Sequence, residues 1–364
     1  QSGAEPQLQT TVDVMDLCMW LFSSDVFLFP IGHRLLREAA FVIRNYTAAA
    51  THVTSEILGT ANTSNETALT VDQVSRIAQI VSDLMFLSDV FLPTTFRTAL
   101  ENTSLLTNLG GGSPVESKPA LVTPPPQGSS SAHLNPAWNV LSLIRDYVEK
   151  EGVSMIQDAL ASYLVSQCQQ SLQNLKTVKA AYSHTKKPLP SSPSWFVSSI
   201  IEPVSKFKSA AAIASQKHSP PSVFFTTIVP TLIRSVVDSV SEKFRELTKD
   251  VIISARRMEE SLGRLRRKRE EAKGGAAAAA HVSTPVSEGA LSVRVTNENA
   301  TDRDKMVVQL YLDAHEYGSL LRPLGVNKES YEPLQRILKL CRRANWILSG
   351  DQSPEPAEVE EDEQ

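Results

Sequence analysis

The chain has 364 residues, with 36 Lys and Arg against 40 Asp and Glu, a net charge of −4, 41% hydrophobic and 21% charged residues, 15 Gly, 21 Pro and 3 Cys. That length holds one large or two ordinary cores, and the near-average composition excludes a wholly disordered chain and a nucleic-acid binder taken as a whole. Six negative charges sit together at Glu355, Glu358, Glu360, Glu361, Asp362 and Glu363, so the residues before them are nearly neutral.

Cys18, Cys168 and Cys341 are odd in number, far apart and set in apolar helical patterns. Buried thiols of a reducing compartment have this distribution, and a disulfide framework does not, so the chain reads as cytosolic. Five Asn-x-Ser/Thr triplets, at Asn45, Asn62, Asn65, Asn102 and Asn299, read as chance matches, because no basic segment followed by an apolar one opens the sequence. The apolar stretch Leu17 to Phe22 falls well short of the roughly 20 residues a spanning helix needs, and no segment reads as crossing a membrane. Opening on Gln1 where a start would show Met, the sequence reads as a fragment.

Residues 1–24 form its front edge, and 25–101 read as a helical block. Val26, Phe29, Leu35, Leu36, Ala39, Val42, Ile43, Tyr46, Ala49, Ala50 and Val53 recur three and four apart, with Pro30 in a tolerant first turn. A second helix opens at Thr70, whose hydroxyl can cap the backbone while Gln73 reaches back; it carries Val74, Ile77, Val81, Leu84 and Met85 and is expected to end before Pro93. Residues 102–137, with Gly110 to Gly112, Pro124 to Pro126 and Ser129 to Ser131, bury too little apolar area to offset ordering and read as a disordered linker.

Helical spacing resumes over 138–272, first at Trp138, Leu141, Ile144 and Tyr147, then from Ile156 to Val178. Pro188 to Pro193 break it, and Trp195, Phe196, Ile200 and Ile201 begin a helix that Pro203 should bend or end. The longest periodic run, within a helix at 222–272, joins Val229, Leu232, Val236, Val240, Phe244, Leu247, Val251, Ala255, Met258, Leu262 and Leu265 at a mean period of 3.6. The stripe is expected to be core along its length, Val240, Phe244, Leu247, Val251, Met258, Leu262 and Leu265 above all, in a straight helix and not a 3.5-period supercoil. Residues 273–301 form a second, Gly/Ala-rich linker; 302–347 are helical again, with Gly325 a C-cap candidate; 348–364 are an acidic disordered tail. The fold class is therefore all-α: an elongated multi-helix bundle with two flexible linkers.

Chemistry is hard to place on this frame. No two of the seven His fall four apart, the spacing that sets two imidazoles on one helix face for a metal. His315-Glu316 starts like a metalloprotease helix, but Ser319 stands where the second His belongs, and Tyr182 to Lys186 has a hydride-transfer spacing without the Gly-rich turn it needs. No catalytic, cofactor or metal site is readable. Arg264, Arg266, Arg267, Lys268 and Arg269 could be a nuclear signal, a phospholipid contact or an RNA patch. Against these stands a solvated helix end, whose cations complement the carbonyl pole and interleave with Glu259, Glu260, Glu270 and Glu271.

Certain words of the sequence are more specific than its periodicity. Met258 to Leu265 reads MEESLGRL, and Asp304 to Tyr317 reads DKMVVQLYLDAHEY, followed by Leu324-Gly325. With Trp195 to Pro203 and Phe27 to Leu35, this set resembles the C-terminal domain of the second subunit of the conserved oligomeric Golgi complex, across about half the chain. The resemblance implies stacked helical bundles, as in the exocyst, with no cofactor and no catalytic residue. It implies a peripheral component of the cytosolic face of the Golgi membrane, acting in retrograde vesicle capture. The implied partners are other subunits of the tethering complex, with SNAREs, Rab GTPases and coiled-coil tethers, and no nucleic acid. A helical scaffold of another tethering complex such as exocyst is the alternative, and an enzyme with a scattered site is a third reading.

Overall fold

Thr70 caps its helix as its spacing predicts. Its Oγ1 accepts the Gln73 N–H at 3.3 Å, and Gln73 Oε1 accepts the Thr70 N–H at 2.9 Å. A computed structural model describes residues 8–23, 32–63, 68–107, 135–183, 185–217, 222–274 and 300–349, all-α with no strand among them. The Gly, Pro and Ser triplets of the first linker, nearly all of the second linker, the acidic tail, Pro30 and most of the Phe27 to Leu35 motif lie outside the described residues.

In chain order the helices are α1 (Gln9–Leu21), α2 (Gly32–Thr63), α3 (Val71–Phe86), α4 (Leu92–Thr107), α5 (Asn135–Tyr147), α6 (Ser154–Leu172), α7 (Leu175–Tyr182), α8 (Val197–Gln216), α9 (Val229–Gly274), α10 (Asp302–Leu321), α11 (Glu332–Leu340) and α12 (Arg342–Ser349). They divide between two compact units, one made of Gln1–Ala161 with Ser209–Leu232 and the other of Ser162–Lys208 with Ile233–Gln364.

In the first unit the helical path continues past Pro93, where the sequence predicts a stop. A π turn, Leu87–Phe91, joins α3 to α4, and the Leu92 N–H bonds back to the Leu87 carbonyl. This wider turn gives the proline ring room, and proline has no N–H to lose there. Further π turns, Val148–Val153 and Phe224–Ile228, lead into α6 and α9. The stretch Val71–Ala99 is apolar enough to pass for a membrane span, with a window of mean hydropathy 1.3, but 56% of that window is buried inside the unit, as in a core helix. Asp83 is buried beside it and satisfied: it accepts from the Leu8 N–H (3.0 Å) and the Thr11 hydroxyl (2.8 Å), and Thr11 in turn meets the Tyr46 hydroxyl at 2.6 Å. These bonds tie α1 and α2 to α3. Gly152, in the second π turn, lets that turn lie against α2; a Cβ there would sit 2.7 Å from Thr47 Cγ2.

The second unit is organised around α10, which packs on α7, α11 and α12. Thr301 and Asp304 form its capping box, and Arg343 of α12 donates to Asp304 at 2.9 Å. Tyr317 is fully buried with its ring edge-on to Phe244 of α9, 5.1 Å between centroids, and its hydroxyl 2.9 Å from Ser241. Asp313 accepts from the Ser194 N–H (2.6 Å), the Ser194 hydroxyl (2.8 Å) and Gln309 Nε2 (2.8 Å), which pins the non-helical segment before α8 onto α10. Pro203 does not end α8, which runs on to Gln216; one backbone bond is forfeited while Val204 and Phe207 stay buried. Gly325 closes the turn after α10 at φ 90°, a left-handed conformation that favours glycine.

Two outcomes follow for stability. Gly152→Ala should cost about 1–3 kcal/mol by overpacking, and adding Thr47→Ser, which removes the obstructing methyl but keeps the hydroxyl, should recover most of it; chemical denaturation of the single and double variants checks this. Asp313→Asn should cost about 1–3 kcal/mol, since an amide NH2 would face existing donors. Burial pushes the Asp313 carboxyl above the ordinary Asp range, against the lowering by its three donors. It therefore binds more protons folded than unfolded, and its own contribution to stability falls as pH rises from the ordinary Asp range through the raised value. Comparing wild type with Asp313→Asn across that window should reveal this slope.

Candidate interaction surface

The described residues include Tyr182 and His315, which belong to the two incomplete motifs of the sequence. Among the described residues no three His, Cys, Asp and Glu side chains come together as a metal site. Tyr182 donates its hydroxyl to Gln309 Oε1 at 2.9 Å, a structural bond, and His315 faces the Lys328 ammonium, with Nζ 2.7 Å from Nδ1. Burial first, and Lys328 second, lower the His315 pKa. The three cysteines are free and buried. Burial pushes the Cys18 thiol up to about 11 and those of Cys168 and Cys341 up to about 12, so all three stay protonated and unreactive at neutral pH. In the first unit a cavity of about 400 Å³ lies among the three π turns, with Met85, Val148, Val153 and Ile228 in its wall. Its rim carries an Arg145–Asp89 ion pair at 3.1 Å, and neither His nor Cys lines it.

The surface feature that stands out is the far end of α9. This helix has 46 residues and so is about 69 Å long. Within the second unit Val240, Phe244, Leu247, Val251 and Ala255 are buried, as the stripe requires. Beyond them the expectation of a core ridge has to be corrected: Met258 and Leu262 are only half-buried, and Leu265 is 59% exposed. The cover gives out for a simple reason. α10 begins at Asp302, and its Arg303 reaches Glu259 at 3.8 Å; the turns past Glu259 extend beyond the start of α10. A Cβ built on Gly263 would meet nothing within 4 Å.

Arg264, Arg266, Arg267, Lys268 and Arg269 are all exposed on these same turns. The two motifs that the sequence singled out separately, ridge and basic run, thus coincide on one projecting helix end. Of the interleaved acids, Glu260 pairs with Arg256 at 3.2 Å, and the side chains of Glu270 and Glu271 lie outside the described residues. Sequence reading missed Trp195, which is 83% exposed at the entry to α8 although its apolar neighbours Phe196 and Val197 are buried; it counted among the first apolar residues of that helix. The alternation of burial at a helix entry follows cap geometry, which spacing does not report.

The contrast along α9 is measurable. Phe244→Ala should cost about 3–5 kcal/mol, as for a large core side chain, whereas Leu265→Asp should change unfolding free energy by no more than about 0.5 kcal/mol. Denaturant midpoints of the two variants test whether the ridge is core at one end and surface at the other.

Comparison with known proteins points to one family. The family described as "COG complex component, COG2, C-terminal" matches residues 1–314. A similar protein is "Conserved oligomeric Golgi complex subunit 2" of Arabidopsis thaliana, 28% identical over 196 residues, which are 51% of this chain and 22% of that protein. A second, under the same name, is from Dictyostelium discoideum, 24% identical over 200 residues, 53% of this chain and 19% of that protein. The chain therefore spans about a fifth of the length of these relatives. No solved structure matches it. With most of its residues matched, among them the MEESLGRL helix end and the first part of α10, the chain belongs to the family of C-terminal regions of COG complex component COG2.

Proposed function

We propose that this chain is part of a non-enzymatic subunit of the Golgi vesicle-tethering complex, acting in retrograde intra-Golgi transport at the cytosolic face of the membrane. The observation that carries this reading is the family match over residues 1–314, together with relatives named as subunit 2 of the conserved oligomeric Golgi complex. That match favours the Golgi complex over the exocyst. The physical character of the chain supports the same role. Its polar chemistry is spent on holding helices together, as with Asp83, Asp313 and the Tyr317 hydroxyl, and its thiols are kept inert. What it offers a partner is helix surface.

In this reading the mechanism is mechanical. Packed helices set distances, and exposed helix faces each bind with modest area, so that affinity comes from several contacts made at once. Other subunits of the complex are the first partners; SNAREs, Rab GTPases and coiled-coil tethers are the further ones, met during vesicle capture. Membrane association is peripheral and follows from the assembly.

Affinity purification of the tagged protein from cells, with identification of what co-elutes, tests the assignment. Subunits of the Golgi complex are expected in near-stoichiometric amounts. Exocyst subunits in their place would overturn it.

A further inference from the structure

We propose that the projecting end of α9, from Met258 to Arg269, is one half of a short coiled coil, completed by a helix of a partner protein whose flanking residues are acidic. This rests on the reading of the chain as a tethering subunit and adds to it a surface and the chemistry of its occupant.

The change of period along the ridge carries the argument. From Val229 to Val251 the buried positions advance by threes and fours at about the pitch of a straight helix. From Val251 the steps become four, three, four, three, through Ala255, Met258, Leu262 and Leu265, a mean of 3.5. That is the heptad spacing of a helix seam, with Ala255 and Leu262 at a and Met258 and Leu265 at d. The switch falls where the unit's own cover gives out: Ala255 is buried, Met258 and Leu262 half-buried, and Leu265 59% exposed. Arg269 takes the next a position and closes the apolar part of the seam.

Charge names the occupant. On this register Arg266 lies at e and Lys268 at g, the positions that pair across a seam, and both are exposed. A partner helix with Glu or Asp at its own e and g positions is complementary. A second copy of this chain is not, since an antiparallel pairing would set Arg266 and Lys268 against their own kind and a parallel one gives neither an acid to face. An anionic lipid surface fits less well. At 3.6 residues per turn Arg264 and Arg267 fall on the side away from the ridge, so cations ring the helix, whereas a helix lying in a membrane interface has a wide apolar face with its cations opposite. A seam of about three turns is weak alone, which suits a contact that works alongside others.

The test uses this chain and two synthetic coiled-coil peptides, each with Leu at a and d, one with Glu and one with Lys at every e and g. Anisotropy at low salt should show binding of the Glu peptide and not of the Lys peptide. Arg266→Glu with Lys268→Glu should reverse the preference, by about tenfold in each direction, and Leu265→Asp should abolish binding of both with melting unchanged. Equal binding of the two peptides, or binding indifferent to Leu265→Asp, would overturn the proposal. So would binding to phosphatidylserine-containing vesicles that is lost in the double reversal while the Glu peptide fails to bind; that outcome would assign this end to the membrane. Failure of peptide binding with Golgi subunits still co-purifying sinks the seam alone. Peptide binding with exocyst subunits co-purifying sinks the functional reading alone.

Discussion

The second unit depends on the burial of one hydroxyl. Tyr317 carries the bulk of an aromatic ring and a polar atom into a site with no access to water, and such an atom is costly unless it finds a partner. Ser241 of α9 supplies that partner, and Tyr331, which donates to Asp238 Oδ1 at 2.6 Å and lies 3.2 Å from Ser241 Oγ, completes the set. Burial raises the phenol pKa of both tyrosines, so each remains a neutral donor. Hydrophobic contact alone would let α9 slide by a turn against α10 at modest cost. A buried hydrogen-bonded triad does not allow it, because every shifted register leaves a polar atom stranded.

From that fixed register the rest of α9 follows. Phe244 meets Tyr317 edge-on three residues after Ser241, and the ridge continues to Ala255 under cover. Where α10 begins, the cover ends, and the helix goes on with its backbone bonds satisfied internally. A helix can project past its neighbours in this way because it needs them only for side-chain burial. The same property suits a chain whose family assembles into complexes.

Most of the architecture was legible from spacing. Capping at Thr70, the break before Trp195, the helix through the MEESLGRL motif and the turn at Gly325 all rest on local rules, and local rules are what a single sequence contains. Three features were not legible, each for a stated reason. Pro93 read as a helix stop because its cost is local, but long-range burial of Leu92 and Phe96 outweighs it. Leu265 read as core because periodicity reports which residues share a face and is silent on whether that face is covered. The buried carboxylate of Asp313 could not be foreseen, since two of its three donors, the N–H and hydroxyl of Ser194, lie 119 residues away. The change of ridge period after Val251 is present in the spacing itself and is hidden by averaging over the whole run.

The π turns of the first unit carry a consequence for how such a chain tolerates change. Each absorbs one residue more than an α-helical turn holds, so the faces on its two sides stay in line. Across Leu87–Phe91 the inward positions pass from Leu84 through Leu87 and Phe91 to Leu92 and Phe96 on one continuous face. Loss of one residue there is taken up by closing the wide turn to an α-helical one, which keeps Leu92, Phe96 and Ala99 inward, whereas the same loss in the middle of α3 turns everything beyond it by about 100°. These junctions hold one residue in reserve, so the count of residues between two apolar faces is forgiving there and strict elsewhere along the helices.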